Sequence, residues 1–151
     1  TEDGNEIEVE VTGEVDSNTP GLYILTYSAT NTDGYSASTV RYVGVGDKET
    51  ATNRDLTGEY LSGNGGENEV SKFADGYYTN SDALPPNEIG IYMIDLGNGS
   101  IVFPTQSSDF GPIIGDPNIV PGTGGSVNSD TSFSLALGIQ GGVYGVTFTK
   151  Q

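Results

Sequence analysis

The chain has no cysteine, no histidine and no tryptophan in 151 residues, and only one methionine. Without cysteine, disulfides and thiolate metal sites are excluded. Without histidine, the commonest general base and the commonest transition-metal ligand are missing. No Gly-x-Ser-x-Gly elbow presents a serine nucleophile, and no glycine-rich loop carries the lysine a phosphate site requires. No enzyme is expected, and no residue is nominated as catalytic. Basic residues are scarce too: 5 Lys and Arg stand against 21 Asp and Glu, a formal charge of −16. Nucleic acid is excluded as a partner, because its phosphates would be repelled by such a surface. Anionic membrane surfaces are disfavoured on the same ground, and the acidity reads as a solubility device. No apolar run approaches the roughly 18 residues that a membrane-spanning helix needs.

What the chain does have is 23 glycines, 7 prolines and many Thr, Ser, Asn and Tyr. These punctuate short extended segments, the pattern of sandwiches and barrels. Ile7, Val9 and Val11 alternate with Glu6, Glu8 and Glu10, the period of a half-buried strand. A Pro20-Gly21 turn, a strand over 22–30, an Asp33-Gly34 hairpin and a strand over 36–45 follow. Residues 47–54 carry no periodicity and read as a linker between a first module, 1–46, and a second, 55–151. In the second, strands are predicted near 56–62, 68–74, 76–80, 88–96 and 100–105, and residues 106–131 read as loop-rich, broken by Pro112, Pro117 and Pro121. Phe133, Leu135, Leu137 and Ile139, then Tyr144, Val146 and Phe148, alternate on either side of Gly141-Gly142. Ile89 to Leu96 is apolar on both faces and is predicted to be buried on both sides or to face a partner. The fold class is all-β: part of a sandwich, followed by an antiparallel meandering barrel or sandwich.

Val15 to Tyr23, with its Asn18-Thr19-Pro20-Gly21 turn, and Thr26 to Ala37, with Tyr27 and the Asp33-Gly34 hairpin, resemble the last strands of bacterial immunoglobulin-like surface-protein repeats. The resemblance covers about forty residues and implies the C-terminal half of a sandwich that has about seven strands when complete. Half a sandwich leaves an apolar face uncovered, so either the N-terminal strands have been removed, the favoured expectation, or the remaining strands lean on the second module. Asp55 to Tyr60, Asp75 to Tyr78 and Ile101 to Pro104 resemble a domain of unknown function that follows such modules in Bacteroides-type outer-membrane lipoproteins. That second resemblance implies an extracytoplasmic address, outer-membrane-anchored or periplasmic, with membrane attachment only through a removed N-terminal lipid anchor. By analogy of context it also implies a role with glycans.

Asn31, Asp33 and the carbonyls near Gly34 offer oxygens to a calcium ion, but Asx residues in a hairpin usually bond their own backbone. Glu67, Glu69, Asp75 and Asp82 lack the dense spacing of a calcium loop. No metal or other cofactor is expected, although a calcium-stabilised adhesin is kept as a third alternative. With 21 acidic side chains, pairs at glycosidase distances arise by chance. Aromatics are the remaining handle: Tyr77, Tyr78, Tyr92 and Phe110, with Phe103, are candidates to stack on a sugar or anchor a protein partner. Alternation puts Tyr77 and Tyr78 on opposite faces, one in the core and one exposed. The 106–125 segment is the preferred location for a ligand or partner surface. The leading expectation is a non-catalytic cell-surface module that binds glycan. The alternative is a structural or assembly module docked on a protein through the 89–96 strand or the 106–125 segment.

Overall fold

The computed structural model describes Gly4 and residues 6–151. The chain divides into two compact units, Thr1–Val45 and Gly46–Gln151. The first is a three-stranded antiparallel sheet of β1 (Val9–Thr12), β2 (Gly21–Thr30) and β3 (Ser36–Val45), in that order. Val11, Tyr27 and Thr39 lie in one cross-strand row, which puts the apolar residues of β1 and β2 on a common face. The Tyr23 hydroxyl donates to the carbonyl of Thr19 at 2.8 Å, which braces the corner before β2. At the β2–β3 hairpin the Asn31 side chain accepts from the Tyr35 N–H at 2.8 Å, so this amide is a turn-former. Leu22 is the one buried apolar side chain of this unit among the described residues.

The second unit contains nearly all of the core. It opens with a short helix, α1 (Lys48–Asn53), inside the stretch read as a linker. Six residues are too few to show a helical period, but the cap is visible in retrospect. Asp47 accepts from the Thr50 N–H and hydroxyl at 3.1 and 2.7 Å, which starts the helix. Those bonds hold the Asp47 carboxyl below its ordinary range.

Nine strands follow: β4 (Gly58–Ser62), β5 (Glu67–Ala74), β6 (Tyr77–Asn80), β7 (Ile91–Asp95), β8 (Ser100–Ser108), β9 (Gly111–Gly115), β10 (Gly124–Ser129), β11 (Ser132–Ile139) and β12 (Gly142–Lys150). They pair in the order β10-β11-β12-β4-β5-β6-β7-β8-β9, and β10 pairs back onto β8 while β9 pairs onto β11. The sheet therefore closes into an antiparallel barrel, which decides between the barrel and the sandwich left open by the sequence. The 106–131 segment differs from its loop reading, since it holds the end of β8 and all of β9 and β10. Its prolines are accommodated because Pro112 is the second residue of a strand and Pro117 and Pro121 fall between strands. Pro104 sits in the irregularity between Phe103 and Gln106. Gly115 pairs with Phe103, and a Cβ at that position would overlap the ring.

Alternation sends Tyr60, Val70, Tyr78, Met93, Phe103, Phe133, Leu135 and Phe148 into one interior cluster. Side chains thus fill this barrel, as small barrels allow. Phe133 stacks on Phe148 with centroids 4.9 Å apart and meets Tyr60 edge-on at 5.0 Å. The segment after α1 tethers one end. Arg54 bonds both oxygens of the buried Asp95 carboxylate at 2.8 and 2.9 Å, and the Tyr78 hydroxyl donates to the Arg54 carbonyl at 2.9 Å. At the other end Asp82 accepts the N–H groups of Leu84, Glu88 and Ile89 at 3.0 to 3.1 Å, folding that loop over buried Ala83 and Ile89.

Two outcomes are expected. Asp82→Ala leaves three backbone donors without their acceptor and should lower stability by about 2–4 kcal/mol. Denaturant titration should show this as a lower midpoint at unchanged m. Burial, with smaller contributions from Asp55 and Tyr78, pushes the Tyr60 hydroxyl up to about 12. A folded pKa above the unfolded value means that the folded state keeps the proton longer, so this stability is present below about pH 10 and lost between about pH 10 and 12. Tyr60→Phe should therefore flatten the fall of stability across that interval, and an unchanged slope would contradict the assignment.

Candidate functional site

The four aromatics nominated from the sequence do not share one environment. Tyr78 is a core residue: it points into the barrel, is fully buried, and spends its hydroxyl on the Arg54 carbonyl. Burial raises its pKa above the ordinary tyrosine value. It has no face to offer a surface ligand, and the same holds for Phe103, which is also fully buried. Phe110 is 41% exposed next to the β8–β9 turn, where its carbonyl accepts from Gln140 at 3.0 Å. Tyr77 and Tyr92 are linked through a third ring, Phe73, which each of them meets.

β5, β6 and β7 present their outward residues side by side. Thr79 of β6 lies opposite Ser71 on one side and Tyr92 on the other. Phe73 sits where the β5–β6 register shifts, between Lys72 and Ala74. Its ring lies 6.0 Å from Tyr77, tilted by 54°, and 5.9 Å from Tyr92, nearly perpendicular at 85°. Phe73 and Tyr92 are each 58% exposed, so two large rings face solvent in contact with each other. Sequence reasoning missed Phe73, because a phenylalanine in a strand reads as core. The available signal was parity: Phe73 falls in step with Glu67, Glu69 and Ser71, not with Val70.

Around the rings the surface is polar. Ser71 and Thr79 supply hydroxyls, and the Gln106 amide lies against the Tyr92 backbone. Charges lie on the same stretch: the Ser71 hydroxyl donates to the exposed Glu69 carboxylate at 3.4 Å, and Lys72 pairs with Asp75 at 3.2 Å. Aromatic faces with flanking hydroxyls and amides can take up the C–H face of a neutral ligand while hydrogen-bonding its rim.

A second surface lies on the outside of β10–β12. It is an open groove of about 520 Å³ that includes Pro117, Thr123, Ser126, Ser134 and Thr147. Ser126 bonds Asn128 at 3.0 Å, Asn128 bonds Ser134 at 2.8 Å, and Ser134 meets Thr147 at 2.9 Å. Part of the 106–125 segment therefore reaches a groove, but one lined by small residues that bond one another. For a metal ion, no three acidic side chains converge among the described residues. Strand β7 has Ile91 and Met93 inside, Tyr92 exposed outside, and Ile94 buried.

Residues 1–45 match the family model described as bacterial surface protein, Ig-like domain. The match fits an extracytoplasmic, cell-surface location. No curated protein matches the chain. Among solved structures, the crystal structure of the lipoprotein BT2262 from Bacteroides thetaiotaomicron is similar at 20% identity and a TM-score of 0.49, over 95% of this chain and 81% of that chain. The chain is thus all-β, and its first 45 residues are similar to the Ig-like domain of bacterial surface proteins.

Proposed function

We propose that this chain is a non-catalytic cell-surface module that binds a neutral glycan on the outer face of β5–β7. The contact cluster of exposed Phe73 and Tyr92 with half-buried Tyr77 carries this reading. Large rings held in water cost free energy unless something covers them, and a sugar ring offers the apolar face that suits them. The charge of −16 disfavours polyanionic glycans and leaves uncharged polymers as the class that fits. The absence of histidine and cysteine leaves the surface without an obvious nucleophile–base pair, and binding without turnover is the function proposed.

A second reading, a protein partner anchored on the same rings, is favoured by one observation. The rings meet at 54° and 85° instead of lying coplanar, so they form a corrugated knob more than a flat platform.

Affinity electrophoresis through gels containing a soluble starch, a mannan or a xylan tests the proposal. At least one polymer should retard the parent protein, and Phe73→Ala and Tyr92→Ala should each weaken retardation by about tenfold in Kd, roughly 1.4 kcal/mol. Both rings are more than half exposed, so unfolding midpoints should stay nearly unchanged. Lack of retardation by all three polymers, or equal retardation of parent and variants, would count against glycan binding here.

A further inference from the structure

We infer that Gln106 is the positioning residue of this surface, holding Tyr92 where its ring meets Phe73. The inference rests on the proposed binding role of the cluster only for its functional consequence. Its structural part stands on the hydrogen bonds at the seam between β7 and β8.

The β7–β8 ladder is short. Ile94 pairs with Val102 and Asp95 with Ile101, and the pairing goes no further up β7. Beyond it β8 turns to pair with β9, through the irregularity between Phe103 and Gln106 that contains Pro104. A proline has no N–H to donate, so a continued ladder would lack a bond at that position. Tyr92 would then have its N–H and carbonyl facing a departed strand.

The Gln106 side chain fills that place. Its Oε1 accepts from the Tyr92 N–H at 2.7 Å, and its Nε2 donates to the Tyr92 carbonyl at 2.9 Å. Nε2 also donates to the Pro104 carbonyl at 3.2 Å, which fixes which end of the amide is nitrogen. One primary amide thus imitates a peptide unit of the missing strand. Tyr92 lies opposite Thr79 of β6 on one side, and on the other both of its backbone groups are bonded by Gln106. An outward ring reaches a fixed position only when its own backbone is fixed. Gln106 therefore acts on a ligand through Tyr92, not by touching the ligand.

Two isosteric variants separate this role from simple packing. Gln106→Leu keeps the volume and loses all three hydrogen bonds, whereas Gln106→Glu keeps only the acceptor for the Tyr92 N–H. Without any ligand, amide exchange at Tyr92 should accelerate at least tenfold in Gln106→Leu and change little in Gln106→Glu, while Met93 stays protected in both. The proton contact between the Phe73 and Tyr92 rings should weaken in Gln106→Leu. In the starch, mannan and xylan gels, retardation by whichever polymer holds the parent should weaken at least fivefold in Gln106→Leu. Unchanged exchange at Tyr92 and an intact ring contact in Gln106→Leu would overturn the inference, whatever the gels show. If Tyr92→Ala weakens retardation and Gln106→Leu does not, the positioning role also fails, with the glycan reading intact. If exchange and ring contact respond as expected but no polymer retards the parent, Gln106 keeps its role and glycan binding is what fails.

Discussion

Closure of the second unit's sheet is the constraint on which the rest of this structure depends. Once β10 returns to β8 and β9 to β11, the ladder loses its free edges, and every residue must point either into the barrel or out of it. The interior can hold only so much, and Tyr60, Tyr78, Phe103, Phe133 and Phe148 already occupy it. A further aromatic in these strands is therefore forced outward. Alternation turns Phe73 and Tyr92 outward with Tyr77 half-buried beside them, and their neighbourhood follows from the β5–β6–β7 pairing.

The same closure creates a local problem that Gln106 solves. β8 has to pair with β7, β9 and β10 in turn, which the ladder achieves only by breaking register near Pro104. At the break, one amide side chain takes over from a strand. The irregular part of the barrel wall and the exposed ring cluster thus adjoin through one residue, Tyr92. Irregular backbone beside a surface of possible function is a frequent pairing, because bulges re-aim side chains.

Much of this was legible in the sequence where alternation was strict. The β11–β12 hairpin pairs over eight positions as its apolar pattern demands. The opposite fates of Tyr77 and Tyr78 follow from their adjacency alone. Legibility ended where a residue's role depended on something distant. Phe73 has the parity of an outward residue but the character of a core one, and its contact with Tyr92 reaches across β6. Gln106 lies in a stretch whose prolines mimic a loop, and its partner is fourteen residues away. The helix α1 is too short for a period, and its Asp47 cap goes unread in a stretch that reads as a linker. In the first unit three strands were readable and match the surface-protein family model, yet they bury a single apolar side chain among the described residues.

The central claim is that the face of β5–β7, and not the hydroxyl-lined groove of β10–β12, is the binding surface. The most direct measurement is a nuclear magnetic resonance titration of the whole chain with short starch, mannan or xylan oligosaccharides, following the aromatic ring and backbone amide resonances. The rings of Phe73, Tyr77 and Tyr92 are expected to shift together and saturably, with Tyr60 and Tyr78 unmoved inside the barrel. Shifts confined to Ser126, Ser134 and Thr147, or none at all with any of the three, would contradict the account.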